Sequence, residues 1–212
     1  MFTAQEGNAG RSPSPIPKRR RKYAAAWSAL PPALLAFGLV MTAGAPAQAY
    51  NTFNGHHLKY GINGEYYWLD SSAKNSHPEA IPNGVGHWNS TTDTKVWYVS
   101  TLDKSKSRMD FYRRSTTSNS YCAITAMYVD TSTVDPFSTG WVWGKVTIDP
   151  DLANAALCGS AAHRDGIIAH EQGHVMGLAH NSNSSSLMNI AISSTSVDAP
   201  IGDDRNGINY LY

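Results

Sequence analysis

Four residues within a short stretch have the types and spacing for metal chemistry. They are His170, Glu171, His174 and His180, in His170-Glu171-Gln172-Gly173-His174-Val175-Met176-Gly177-Leu178-Ala179-His180. Residues four apart on a helix share a face, so His170 and His174 can turn their imidazoles to one ion. Zn²⁺ takes tetrahedral nitrogen, sulfur or oxygen ligands, and a catalytic site keeps its fourth position for water. Two helical histidines leave one protein ligand to be found. Gly177 stands where a left-handed residue ends a helix and reverses the chain, and His180 follows it by three residues. Glu171 adjoins the first ligand without being one. Zinc lowers the pKa of a water from about 15.7 towards roughly 7 and polarises a carbonyl, and a carboxylate can take the water's proton as it attacks. Glu171 would then return that proton to a leaving amine. Polar residues on an ordinary helix are the competing reading of a bare His-Glu-x-x-His; the added glycine and third histidine make it remote.

The elements that must position these residues can be read around them. Ala161 to Met176 is predicted as a helix, with Ile167, Ile168, Val175 and Met176 among good helix formers and Gly177 as its stop. A second short helix is expected from Asp203 to Tyr212. Upstream, Leu58 to Asp70 reads as a strand or hairpin, and Ala80 to Trp88 as a weaker helix that carries Pro82, Gly84 and Gly86. Lys95–Val99, Arg108–Tyr112, Ala123–Val129 and Trp141–Ile148 are strands by β-branched and aromatic content, the last stopped by Asp149-Pro150. Strands first, then a long helix and a terminal one, describe an α+β fold: a mixed, twisted sheet packed on helices.

The chain has 212 residues and a formal net charge of +1. Residues 1–49 read as an export signal: Lys18-Arg19-Arg20-Arg21-Lys22, an apolar run from Ala33 to Ala43, then Ala47-Gln48-Ala49. A membrane anchor is the alternative, but Pro31 and Pro32 leave the apolar stretch short for a span. The basic pentapeptide raises the twin-arginine route, but the run is no clean match to that signal. Residues 50–212 then form one domain carrying eleven basic and fifteen acidic residues, net −4. No basic stripe remains for nucleic acid, and no membrane contact is expected once the signal is removed. Cys122 and Cys158, the two cysteines, read as a disulfide in an exported protein.

At this point the sequence resembles the metzincin superfamily of zinc peptidases, and within it the matrixin-like group. The extended zinc motif matches in full, and Ser186-Leu187-Met188-Asn189 fits the methionine turn that metzincins place beneath their zinc histidines. Asp203 to Tyr212 looks like the terminal helix of matrixin catalytic domains, and Trp88 with the Val96–Val99 strand like their first helix and second strand. The resemblance implies a zincin-type fold with an active-site helix and a small C-terminal subdomain, one catalytic Zn²⁺, and a secreted, monomeric endopeptidase acting on protein or peptide substrates. It also implies a cleft in which substrate lies antiparallel to an edge strand, here placed near Ile124–Tyr128.

The departures narrow this. Ile190 stands where astacin-like and serralysin-like enzymes have a tyrosine ligand, and His180 where snapalysin-like enzymes have an aspartate. Tyr50 to Leu58 is too short for a cysteine-bearing propeptide. Asp149, Asp151, Asp203 and Asp204 are candidates for Ca²⁺, but no motif supports one, and capping or loop roles suit them better. His56, His57, His77, His87 and His163 lack a paired spacing for a second metal. Two other functions compete with peptide hydrolysis: a catalytically inactive zinc-binding or adhesion module, and a hydrolase of non-peptide substrates. Glu171 argues against the first, and the matrixin-like frame against the second.

Overall fold

The sheet owes its order to a chain that first runs one way and then doubles back. Strands β2 (Asn63–Leu69), β3 (Trp97–Thr101), β4 (Ser107–Arg113) and β7 (Trp143–Ile148) pair in parallel, while β5 (Ala123–Val129) and β6 (Ser132–Val134) join antiparallel. The resulting order is β3-β2-β4-β7-β5-β6. A separate two-stranded ladder joins β1 (Asn51–Thr52) to β8 (Leu178–Ala179). The computed structural model describes residues 50–117, 120–150, 152, 158, 163–192 and 197–212. The expected signal, residues 1–49, lies outside them, as does Asp151. No helix among the described residues is long and apolar enough to cross a membrane.

Two helices carry the weight of the core. Helix α2 (Ala80–Asn89) packs on α3 (Arg164–Met176) at Gly84, where a β-carbon would lie 2.6 Å from the Ile168 side chain. Residues 166–176 of α3 are buried throughout, as expected of a helix enclosed on every side. Two fully buried tryptophans fix its height. Trp88 Nε1 donates to the Ala169 carbonyl and Trp141 Nε1 to the Val175 carbonyl, both at 2.8 Å. Each large ring thereby keeps its one polar atom satisfied. Gly144 of β7 meets Val175 so closely that a β-carbon would stand 2.6 Å from its Cγ2.

The expected elements are present, with two differences. Leu58 to Asp70, read as a strand or hairpin, holds a single strand that pairs in parallel on both sides. A short helix α1 (Ser71–Ser76) follows it, capped by Asp70, whose carboxylate accepts from Ser72 N at 2.9 Å. The strand expected at the sheet edge is only half exposed there: β6 covers Met127–Val129, leaving Ala123–Ala126 with no strand on that side among the described residues. Cys122 O accepts from Asp149 N across β7. The alternation of an antiparallel ladder therefore turns the N–H and C=O of Ala123 and Thr125 towards the open side. Helix α4 (Gly202–Leu211) closes the chain.

Candidate metal centre and cleft

Helix α3 delivers His170 and His174 on one face, one turn apart, with ring centroids 4.6 Å from each other. The helix then stops at Gly177, whose φ of +118° and ψ of 4° place it in the left-handed region. Its N–H bonds back to Gly173 O at 3.1 Å and His174 O at 3.0 Å. A side chain is barred there on two counts, since a β-carbon would also lie 2.8 Å from Leu211 and 2.9 Å from His57. The reversed chain pairs with β1, and Asn51 Nδ2 donates to the His180 carbonyl at 2.8 Å. His180 Nε2 thus stands 3.1 Å from Nε2 of both His170 and His174.

These three nitrogens suit a tetrahedral ion. His170 Nδ1 donates to Leu187 O at 2.6 Å, and His174 Nδ1 to Leu178 O at 2.8 Å. With those protons placed, both Nε2 atoms turn lone pairs inward. His180 Nε2, 3.1 Å from each of the other two, matches the spacing a zinc ion would set, since Zn–N bonds of about 2.0–2.1 Å at the tetrahedral angle put the nitrogens about 3.3 Å apart. Burial drives the ring pKa of His170 down to about 4, that of His174 well below the ordinary histidine value, and that of His180 down as well. Neutral rings are the form that binds metal.

Glu171 also faces the cleft and keeps 6% of its surface exposed. Burial raises its carboxyl to about 7, against the pull of a hydrogen bond from Thr125. Thr125 Oγ1 donates to Glu171 Oε2 at 2.5 Å. The cleft, about 730 Å³, runs along the open half of β5 and past His170, His174 and His180. Ile167, Ile190 and Ile192 line it together with Phe53 and Phe137.

The sequence profile of matrixins matches residues 52–212. The chain belongs to the matrixin family. A comparison with characterised proteins found no match. Membership brings the zincin fold of the metzincin type, and the family is one of zinc-dependent peptidases acting on proteins.

The expected site residues of this matrixin fall as follows. His170, His174 and His180 form the one group of three metal-ligating side chains among the described residues. Met188, 1% exposed, lies beneath α3, where a β-carbon on Gly173 would overlap its sulfur. Cys122 and Cys158 are joined as a disulfide. Of the calcium candidates, Asp151 lies outside the described residues, and among the described residues Asp149, Asp203 and Asp204 belong to no group of three that could hold a metal. Asp149 faces Arg114 at 3.9 Å, and Asp204 is consumed by main-chain amides, accepting from Ile201 N at 2.9 Å and Leu187 N at 3.0 Å. His163 bonds Ile192 O through Nε2 at 2.5 Å, and His57 bonds Gly55 O through Nδ1 at 2.9 Å. Sequence reasoning missed Thr125, which no motif marks. It also missed the grip of Asp204 on the methionine turn, for which the only signal is an acidic pair opening the last helix.

Proposed function

We propose that the protein is an exported zinc endopeptidase in which His170, His174 and His180 hold the ion and Glu171 is the general base. Residues 1–49 direct export in this reading, and residues 50–212 are the catalytic domain. The observation that carries it is the convergence of three imidazole nitrogens beside a buried glutamate that opens onto a peptide-sized cleft.

When bound, zinc supplies a Lewis acid that makes a water nucleophilic near neutral pH and polarises the scissile carbonyl. The remaining work falls to the protein. Ala123 and Thr125 offer main-chain N–H and C=O groups to an extended peptide, which adds as a strand beside β5. The scissile carbonyl is thereby held over the three histidines. Glu171 takes the proton of the attacking water and hands it to the departing amine, so that it finishes as it began.

Casein cleavage by the purified protein tests this. We expect cleavage by wild type, loss with a chelator, return with added zinc, and at least a thousandfold loss in Glu171→Ala with zinc still bound. Equal inactivity of wild type and Glu171→Ala with zinc bound would identify an inert zinc-binding module instead.

A further inference from the structure

We propose that Thr125 is a positioning residue: its hydroxyl fixes the Glu171 carboxylate and links the strand that receives substrate to the base that acts on it. This rests on the reading of Glu171 as the base.

The geometry is specific. Thr125 Oγ1 lies 2.5 Å from Glu171 Oε2 and 3.3 Å from the main-chain oxygen of the same residue. The hydroxyl has one proton to give, and the shorter contact to the carboxylate takes it. Glu171 Oε1 has no protein partner among the described residues, so the hydrogen bond divides the two oxygens into one that is held and one that can exchange a proton. Glutamate has three rotatable bonds, and without this anchor its carboxylate would be free to turn away from the cleft. Thr125 itself is stiff, because β-branching restricts its χ1.

The position of Thr125 on β5 adds a second consequence. Its N–H and C=O point to the open edge while its side chain reaches α3. A peptide that pairs with this residue therefore fixes the same backbone from which the base is oriented. Docking and proton transfer share one residue.

The test compares Thr125→Val, which keeps the shape and removes the hydroxyl, with Thr125→Ser, which keeps the hydroxyl. We expect Val to lower kcat about tenfold or more with KM within about twofold and zinc content unchanged, and Ser to keep at least half of the wild-type kcat. A second readout needs no activity. In zinc-free protein, three-bond NMR couplings along the Glu171 side chain should report one rotamer, which averages over several in Thr125→Val. A Thr125→Val enzyme with wild-type kcat, a loss that Ser does not rescue, or an averaged rotamer in wild type each overturns the proposal. If wild type itself fails to cleave, or Glu171→Ala cleaves as well as wild type, the general-base reading falls and this inference with it. If Glu171→Ala is dead while Thr125→Val is unaffected, only the inference falls.

Discussion

The Leu187 N–H donates to the Asp204 carboxylate at 3.0 Å, while the Leu187 carbonyl accepts from His170 Nδ1 at 2.6 Å. A single residue thus joins a candidate metal ligand to the terminal helix. Asp204 is fully buried, and it also accepts from the Ser186 hydroxyl, from Met188 N at 3.3 Å and from Ile201 N at 2.9 Å. Four donors on the methionine turn and at the start of α4 therefore depend on one carboxylate.

Replacing that carboxylate strands those donors in the interior. Asp204→Ala should lose about 3 kcal/mol or more of unfolding free energy, with Asp204→Asn losing less. Because the turn also orients His170, zinc affinity should fall about 10–100-fold. Urea unfolding and zinc competition against a chelator measure the two effects separately. Unchanged zinc affinity in Asp204→Ala would disconnect the terminal helix from the metal centre.

Gly177 carries the reversal that brings His180 back. At φ +118° an L-residue is strained, and the β-carbon of alanine would meet Leu211 at 2.8 Å and His57 at 2.9 Å. Gly177→Ala should cost about 2 kcal/mol or more, combining backbone strain with overpacking. Since the Ala179–His180 segment follows directly, its zinc affinity should drop further than that of a comparably destabilised core variant such as Ile81→Ala. Equal affinities in the two would mean that His180 is placed independently of the turn.

Much of this arrangement was legible in the residues, and the reasons separate cleanly. The His170, His174 and His180 cluster was readable because helix period and glycine conformation are local rules that convert spacing directly into direction. The α+β order was readable from β-branched runs followed by a helical one. The register of β5 was not. Whether Ala123–Ala126 or the whole strand is open depends on Ser132–Val134 folding back, and three short polar-to-apolar residues carry no distinctive pattern. Thr125 was invisible for a related reason. Its partner lies 46 residues away, and only the packing of β5 on α3 brings the two together. Helix α1 left a trace in Asp70-Ser71-Ser72, a capping sequence that the preceding strand signal obscured.

His77 gives the fold a pH dependence of its own. The ring is buried, its pKa is lowered chiefly by desolvation, and the charges of Arg113 and Arg164 push the same way; a main-chain hydrogen bond with Asp149 and the Asp149 charge oppose them. A histidine with a depressed pKa is favoured neutral in the native state. Its contribution is therefore complete above the unfolded value of about 6.5 and is lost as pH falls through that value towards the folded one. The urea midpoint of wild type should drop more steeply below about pH 6.5 than that of His77→Gln, both measured with chelator so that zinc release does not enter. Parallel profiles would remove His77 as a source of acid sensitivity.

The disulfide should matter to stability more than to the metal. Cys122 and Cys158 are 36 residues apart, and Cys122 leads straight into the open half of β5. Closing a loop of that length restricts the unfolded chain by about 4 kcal/mol in the loop-entropy account. The double variant Cys122→Ser/Cys158→Ser should lose that amount or somewhat less in urea unfolding. The loss should be the same with and without zinc, because neither cysteine belongs to the three-histidine cluster. Zinc affinity itself should stay within about threefold of wild type, a change of under 1 kcal/mol. A stability loss below about 1 kcal/mol would show that the unfolded chain is already restrained along this loop, and a collapse of zinc affinity would show that the bond holds the start of α3 in place.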